Sequence, residues 1–142
     1  MTPVVVDSSV AIKWFVPEDR SERALRLLDG TFELIAPDLL VPECANVLWK
    51  KTTRGEISAG EARLVLRALG AAPVRLVASR DIIDAAFEIA TSLGRTVYDS
   101  LFVTLAVARE CVLVTGDHRM ARALAAGPLA GTVRSLDDWE PG

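Results

Sequence analysis

Histidine and cysteine are scarce here, with one His and two Cys among 142 residues. Cys44 and Cys111 are isolated among apolar neighbours, and with only His118 beside them they cannot assemble a zinc site. They read as buried thiols. Long apolar runs are also missing: no stretch of 18 residues lacks a charge, which excludes a bilayer-spanning helix. No basic segment with an apolar core and a cleavage site precedes the first strand-like run, so the expectation is a cytoplasmic protein. The G-x-G-x-x-G fingerprint is absent after that run, which discounts dinucleotide binding. Neither a repeat nor a linker interrupts the chain. Its length, with 51% apolar and 25% charged residues, therefore reads as one globular domain over residues 1–142.

What the chain does have begins at Val4-Val5-Val6-Asp7-Ser8-Ser9. Three β-branched residues without polar alternation predict a strand covered on both faces, as in a parallel sheet, with Asp7 delivered to its C-terminal edge. That edge is where open α/β sheets build their sites. The alternative is that Asp7, Ser8 or Ser9 merely caps a helix over Val10–Val16, which Pro17 stops. A second helix is predicted over Glu18–Leu28, then a short strand over Phe32–Ala36. Asp38 reads as the N-cap of a long helix running to Arg54 and Gly55. Glu43 lies on that helix's apolar stripe of Leu40, Cys44 and Val47 rather than on the solvated face with Lys50 and Lys51. A carboxylate in that position must be paired, coordinated or protonated.

Ser58 with Glu61 forms a capping-box start for a structural helix to Gly70. Ala72–Val77 carries Pro73 and reads as an edge strand or a loop. A helix over Arg80–Leu93 closes at Gly94. Thr96-Val97-Tyr98-Asp99 introduces the most apolar helix, Leu101–Ala108, which is expected at the centre. Cys111–Thr115 repeats the character of the first strand and ends in Thr115-Gly116-Asp117, a second strand delivering an acid. A short helix over Arg119–Leu124 and a last strand at Gly131–Val133 complete the pattern. Alternating strands and helices predict an α/β class, a three-layer α/β/α sandwich with a central, mainly parallel sheet.

If the two apolar strands are neighbours, Asp7 and Asp117 emerge side by side, and Glu43 and Asp99 are most economically pointed at the same edge. Two unit charges about 4 Å apart repel by roughly 4 kcal/mol at an effective dielectric near 20, so four carboxylates share a pocket only if cations or protons intervene. Hard divalent ions such as Mg²⁺ or Mn²⁺ suit oxygen ligands and substrate phosphates. Each acid also has a structural alternative: Asp99 as a capping-box partner of Thr96, Asp117 as a turn or helix cap. The net charge of −3 argues against a polyanionic partner, but with four of the 19 acids gathered in one site the remainder is 16 basic against 15 acidic residues.

These residues, in this order, resemble the PIN-domain ribonucleases, specifically the VapC toxins of VapBC toxin-antitoxin systems. The carriers are Val-Val-Asp7-Ser-Ser, Pro-Glu43, Tyr-Asp99-Ser-Leu and Leu-Val-Thr115-Gly-Asp117. The resemblance implies a PIN-like fold and a toxin that is a metal-dependent endoribonuclease. In it Asp7, Glu43, Asp99 and Asp117 are the catalytic quartet, Asp7 and Asp99 bind the Mg²⁺ or Mn²⁺ cofactor, and Ser9 and Thr115 orient the carboxylates. It also implies an RNA substrate, a homodimer, and a VapB-type antitoxin whose C-terminal segment lies along the helices and presents an Arg to the acids. Lys13, Lys50, Lys51, Arg54 and Arg119 are candidates for the RNA backbone, against a solvated helix face for each. Trp14, Phe15 and Trp49 are candidate interface anchors, against burial in the core. His118 beside Asp117 is more simply a surface residue than a general base. Two rival readings remain: a phosphatase using Asp7 as nucleophile, which would want a second acid where Ser9 stands, and a receiver-like interaction domain.

Overall fold

In the computed structural model, which describes residues 1–140, the apolar runs form five parallel strands. They are β1 (Thr2–Val6), β2 (Phe32–Pro37), β3 (Val74–Val77), β4 (Val112–Thr115) and β5 (Val133–Ser135), in the order β3-β2-β1-β4-β5. Successive residues of a strand face opposite sides of its sheet. Val4, Val5 and Val6 are all buried, so both faces of β1 are covered, as an α/β/α sandwich requires. Pro73 stands just outside β3, an edge strand, where its missing N–H costs no ladder bond.

The helices are α1 (Ser8–Ala11), α2 (Ser21–Leu25), α3 (Leu40–Thr53), α4 (Ala59–Gly70), α5 (Ile83–Leu93), α6 (Val97–Ala108) and α7 (His118–Leu124). Seven consecutive residues of α6, Ser100 to Ala106, are buried, and the helix packs against β1, β2 and β4. This is the central helix its composition predicts. The Ser58–Glu61 capping box forms as expected at the start of α4.

Three local expectations are corrected. The helix expected over Val10–Val16 is α1 followed by a 3₁₀ turn at Ile12–Trp14, and that over Glu18–Leu28 is α2 followed by a 3₁₀ turn at Arg26–Leu28. Asp38 does not cap α3, whose N-cap is Leu39 with no side-chain bond. Instead Asp38 accepts hydrogen bonds from the N–H and hydroxyl of Ser79, tying the end of β2 to the segment after β3. A partner 41 residues away in sequence cannot be seen in local capping rules. Trp14 is no exposed anchor either. It is 8% exposed, and its indole N–H donates to the Ala24 carbonyl at 2.8 Å, holding α2 against the core. Trp49 is 61% exposed, and Phe15 is half-buried against Trp14. The burial expected of both cysteines holds fully for Cys44 and partly for Cys111.

Candidate active site

The strand order reverses between β1 and β4: the chain runs outward from β1 to β2 and β3, then returns to the other side of β1. Such switch points open a crevice beyond the carboxyl ends of the strands. The pairing of Val6 with Val114 puts Asp7, the next residue after β1, beside Thr115, the last of β4. Thr115 Oγ1 donates to Asp7 Oδ2, and Ser9 Oγ donates to Oδ1 at 2.5 Å. The Val10 N–H also donates to Oδ1, so Asp7 caps α1 as well as facing the crevice. Capping and a site role are therefore one geometry, not rivals.

Ser9 and Thr115 also organise the turn between β4 and α7. The Gly116 N–H donates to Ser9 Oγ at 2.7 Å, and the Asp117 N–H to Thr115 Oγ1 at 3.0 Å. A Cβ on Gly116 would lie 3.1 Å from Ser9 Oγ and 3.2 Å from Lys13 Cε, a close approach that favours glycine here. Asp117 is exposed and caps α7, with Oδ1 accepting from the N–H groups of Arg119 and Met120.

Glu43 rises from the first turn of α3, and Asp99 from the first turn of α6. Thr96 caps α6 by accepting from the Asp99 N–H at 3.0 Å. The Asp99 side chain does not return the bond as a capping-box partner would. Instead, Asp99 Oδ2 accepts from the guanidinium of Arg95, four residues earlier and just before the helix cap, at 2.9 Å. Sequence reading misses Arg95, although an Arg four residues from an acid flanking a helix start is a recognisable pairing.

The electrostatics link the acids in pairs. Burial pushes Glu43 up to about 7, helped by the charges of Asp7 and Asp99 and opposed by a hydrogen bond from Ser8. Asp7 is raised chiefly by burial and further by Asp117, against the lowering effect of its bonds from Ser9, Thr115 and Val10. Glu43 and Asp7 likewise help burial push the neighbouring Cys44 thiol up to about 12, leaving it inert at neutral pH. Glu43 is half-buried, and the charges of Asp7 and Asp99 reach it there.

These raised values make stability depend on pH. A carboxyl whose pKa is raised on folding stabilises the fold below its unfolded value near 4.5, and that contribution is lost as pH rises through about 7. Asp7 acts in the same direction. Glu43→Gln should therefore stabilise the metal-free protein at pH 8 by roughly 1 kcal/mol, discounting for solvent screening, and change it far less at pH 4. Urea unfolding at both pH values checks this. An equal effect at both would mean that the charge of Glu43 costs nothing.

The remaining candidates scatter. His118 is exposed, with Nε2 3.6 Å from Asp137 and no bond to Asp117. Lys13 and Lys51 both engage Glu18, at 3.0 and 2.9 Å, which compromises them as free backbone contacts. Lys50, Arg54 and Arg119 are exposed.

Whether the residues suit a divalent cation rests on their donors. Carboxylate and hydroxyl oxygens are the hard ligands Mg²⁺ and Mn²⁺ take, and Asp7 is buried among acids with no cationic side chain bonded to it. Among the described residues no three His, Cys, Asp or Glu side chains form a ready ligand cluster. The donor set therefore suits an ion held through one or two carboxylates, with water and substrate phosphate completing its shell, rather than an all-protein cage.

Among the described residues no helix is long and apolar enough to cross a membrane. The PIN domain family model matches residues 4–125. The chain is 36% identical over 120 residues to Ribonuclease VapC3 of Pyrobaculum aerophilum, covering 83% of this chain and 92% of that one. It is 32% identical over 124 residues to Ribonuclease VapC1 of Mycobacterium tuberculosis, covering 87% and 92%. Its fold is similar to the crystal structure of a Pyrobaculum aerophilum protein, with a TM-score of 0.70 at 18% identity over 96% of this chain and 85% of that one. It is also similar to a chain of VapBC2 from Rickettsia felis, solved bound to a promoter DNA fragment, with a TM-score of 0.60 at 11% identity over 94% and 98%. With these matches spanning the crevice and all four acids, the chain belongs to the PIN-domain family and is of the VapC type.

Proposed function

We propose that this chain is a metal-dependent endoribonuclease, the toxin of a type II toxin-antitoxin pair, acting as a single PIN-like domain. The observation that carries the reading is that Asp7 and Asp117 leave the paired ends of β1 and β4, with the charges of Asp7 and Asp99 both acting on Glu43 and that of Asp117 on Asp7. Relatives named as VapC ribonucleases support RNA as the substrate.

The bound Mg²⁺ or Mn²⁺ would lower the pKa of a water and neutralise charge on the phosphate. Asp7 and Asp99 would hold the ion. Ser9 and Thr115 keep the Asp7 carboxylate in a single orientation, each directing its hydroxyl proton to it. Asp99 must share its charge with Arg95, which also brings a guanidinium to the crevice. Glu43, raised to about 7, would be able to hold a proton there. Asp117 adds negative charge while α7 fixes one of its oxygens.

A phosphatase is disfavoured because both oxygens of Asp7 are occupied by hydroxyl donors, and Ser9 orients that carboxylate rather than supplying a second acid. The VapBC name of one structural relative supports a VapB-type antitoxin as partner. Exposed Trp49 on α3 and Ile83 and Phe87 on α5 supply apolar surface for that partner or for a homodimer. Purified protein should cut RNA with Mg²⁺ or Mn²⁺, stop when EDTA is added, and leave p-nitrophenyl phosphate intact. RNA cleavage that persists in EDTA, with contaminating nuclease excluded, would overturn the metal assignment. Turnover of the monoester without RNA cleavage would overturn the nuclease.

A further inference from the structure

Glu43 does more than face the acids, because it also lines one wall of a groove of about 410 Å³ that leads away from them. That size is within the usual range of small-ligand sites. The wall is a stripe of α3 on which Glu43, Asn46, Val47 and Lys50 succeed one another at helical spacing. At about 1.5 Å per residue, Lys50 stands some 10 Å along the helix from Glu43, with Asn46 between them. Tyr98, the only tyrosine, joins the lining from α6. It is 62% exposed.

Three of these groups, Asn46, Lys50 and Tyr98, form no side-chain bond among the described residues. Among the described residues Lys50 forms no ion pair, in contrast to Lys51 beside it. Asn46 and Tyr98 have no side-chain hydrogen bond to another described residue, and both are exposed. An exposed aromatic face, a carboxamide and a free ammonium in line with an acid site match a single-stranded nucleotide. Unpaired bases are read by stacking on aromatic rings and by hydrogen bonds to their edges, with cations taking the phosphates. Leu39, Pro42 and Val47 add apolar surface that suits the plane of a base, while the Lys50 ammonium at one end of the stripe and the acid site at the other suit a phosphate chain rather than a peptide.

Resting on the ribonuclease reading, we propose that this groove is the subsite for one nucleotide flanking the scissile phosphate. Tyr98 stacks on its base, Asn46 reads the base edge, and Lys50 meets the adjoining phosphate. A carboxamide offers a donor and an acceptor together, which complements the N6/N7 edge of adenine.

The test has a binding arm and a cleavage arm. In the first, full-length protein carrying Asp7→Asn, so that RNA is not consumed, is titrated with an oligoribonucleotide containing one 2-aminopurine. Stacking should quench that fluorophore. Tyr98→Ala should abolish the quench and weaken binding roughly tenfold, the usual loss for one base–aromatic stack, while Tyr98→Phe restores both. In the second arm, with Asp7 intact, Tyr98→Ala should raise KM more than it lowers kcat. Asn46→Ala should flatten a base preference mapped next to the cut. Unchanged quenching, KM and base preference in Tyr98→Ala and Asn46→Ala would overturn the subsite even with RNA cleavage intact. A wild-type protein that quenches 2-aminopurine yet cuts no RNA would overturn the nuclease and leave the nucleotide site standing.

Discussion

Asp7→Asn should reduce metal-dependent RNA cleavage at least 100-fold while leaving the metal-free protein as stable as before or more so. Residues that only orient a ligand typically cost about 10- to 100-fold when lost, and a proposed direct ligand stands above them. The stability side rests on the surroundings of Asp7. Its carboxylate is buried and faces Asp117, so its charge is costly without a cation, and its pKa is raised accordingly. Asparagine keeps Oδ1 to accept from the Ser9 hydroxyl and from the Val10 N–H that starts α1, and the Thr115 hydroxyl can rotate to accept from the amide nitrogen that replaces Oδ2. Asp7→Ala is a poorer probe, since it also removes that cap, at about 1 kcal/mol. Cleavage assays, Mn²⁺ binding and thermal unfolding on the same preparation separate the two effects. A variant that cuts RNA at the wild-type rate would end the assignment of Asp7 to the metal. One that no longer folds would end the account of its surroundings.

The second large effect is on stability alone. Trp14→Ala should destabilise the fold by about 3–5 kcal/mol, the range for truncating a buried large aromatic. It also strands the Ala24 carbonyl that the indole N–H now satisfies at 2.8 Å. Trp14→Phe keeps most of the packing, loses the bond, and should cost far less. Urea unfolding of the three proteins measures this. A loss under about 1 kcal/mol in Trp14→Ala would mean that the indole is not part of the core. Weakened antitoxin inhibition in Trp14→Ala therefore reports a loosened fold, and the exposed Trp49 is the better place to probe a protein partner.

Much of the architecture is legible in the chain because it rests on repeated local signals. A β-branched run with no polar alternation has to be covered on both sides, and β1 and β4 are. An all-apolar segment has to lie at the centre, and α6 does. Glu43 can be singled out because a carboxylate on an apolar stripe is unfavourable, and its neighbourhood does raise its pKa. Where local patterns mislead, the deciding partner is remote. Asp38 has the residue type and position of an N-cap but bonds to Ser79 after another strand. Trp14 has the look of an anchor beside a site, yet α2 folds back over it.

The order and chemical type of the four acids, their delivery by strand ends and helix starts, and the PIN-type resemblance were all determined by the sequence itself, because each depends on residues a few positions apart. Tertiary structure alone decided that β4 lies against β1, which turns Thr115 and Ser9 into donors to one carboxylate, 108 and two residues from it in sequence. It alone decided that Arg95 rather than the Thr96 backbone holds the Asp99 side chain, and that Lys51 is drawn to Glu18 while Lys50 pairs with no acid among the described residues. Periodicity says which face of an element is apolar, but not what stands opposite it. A site of converging charges is defined by what stands opposite.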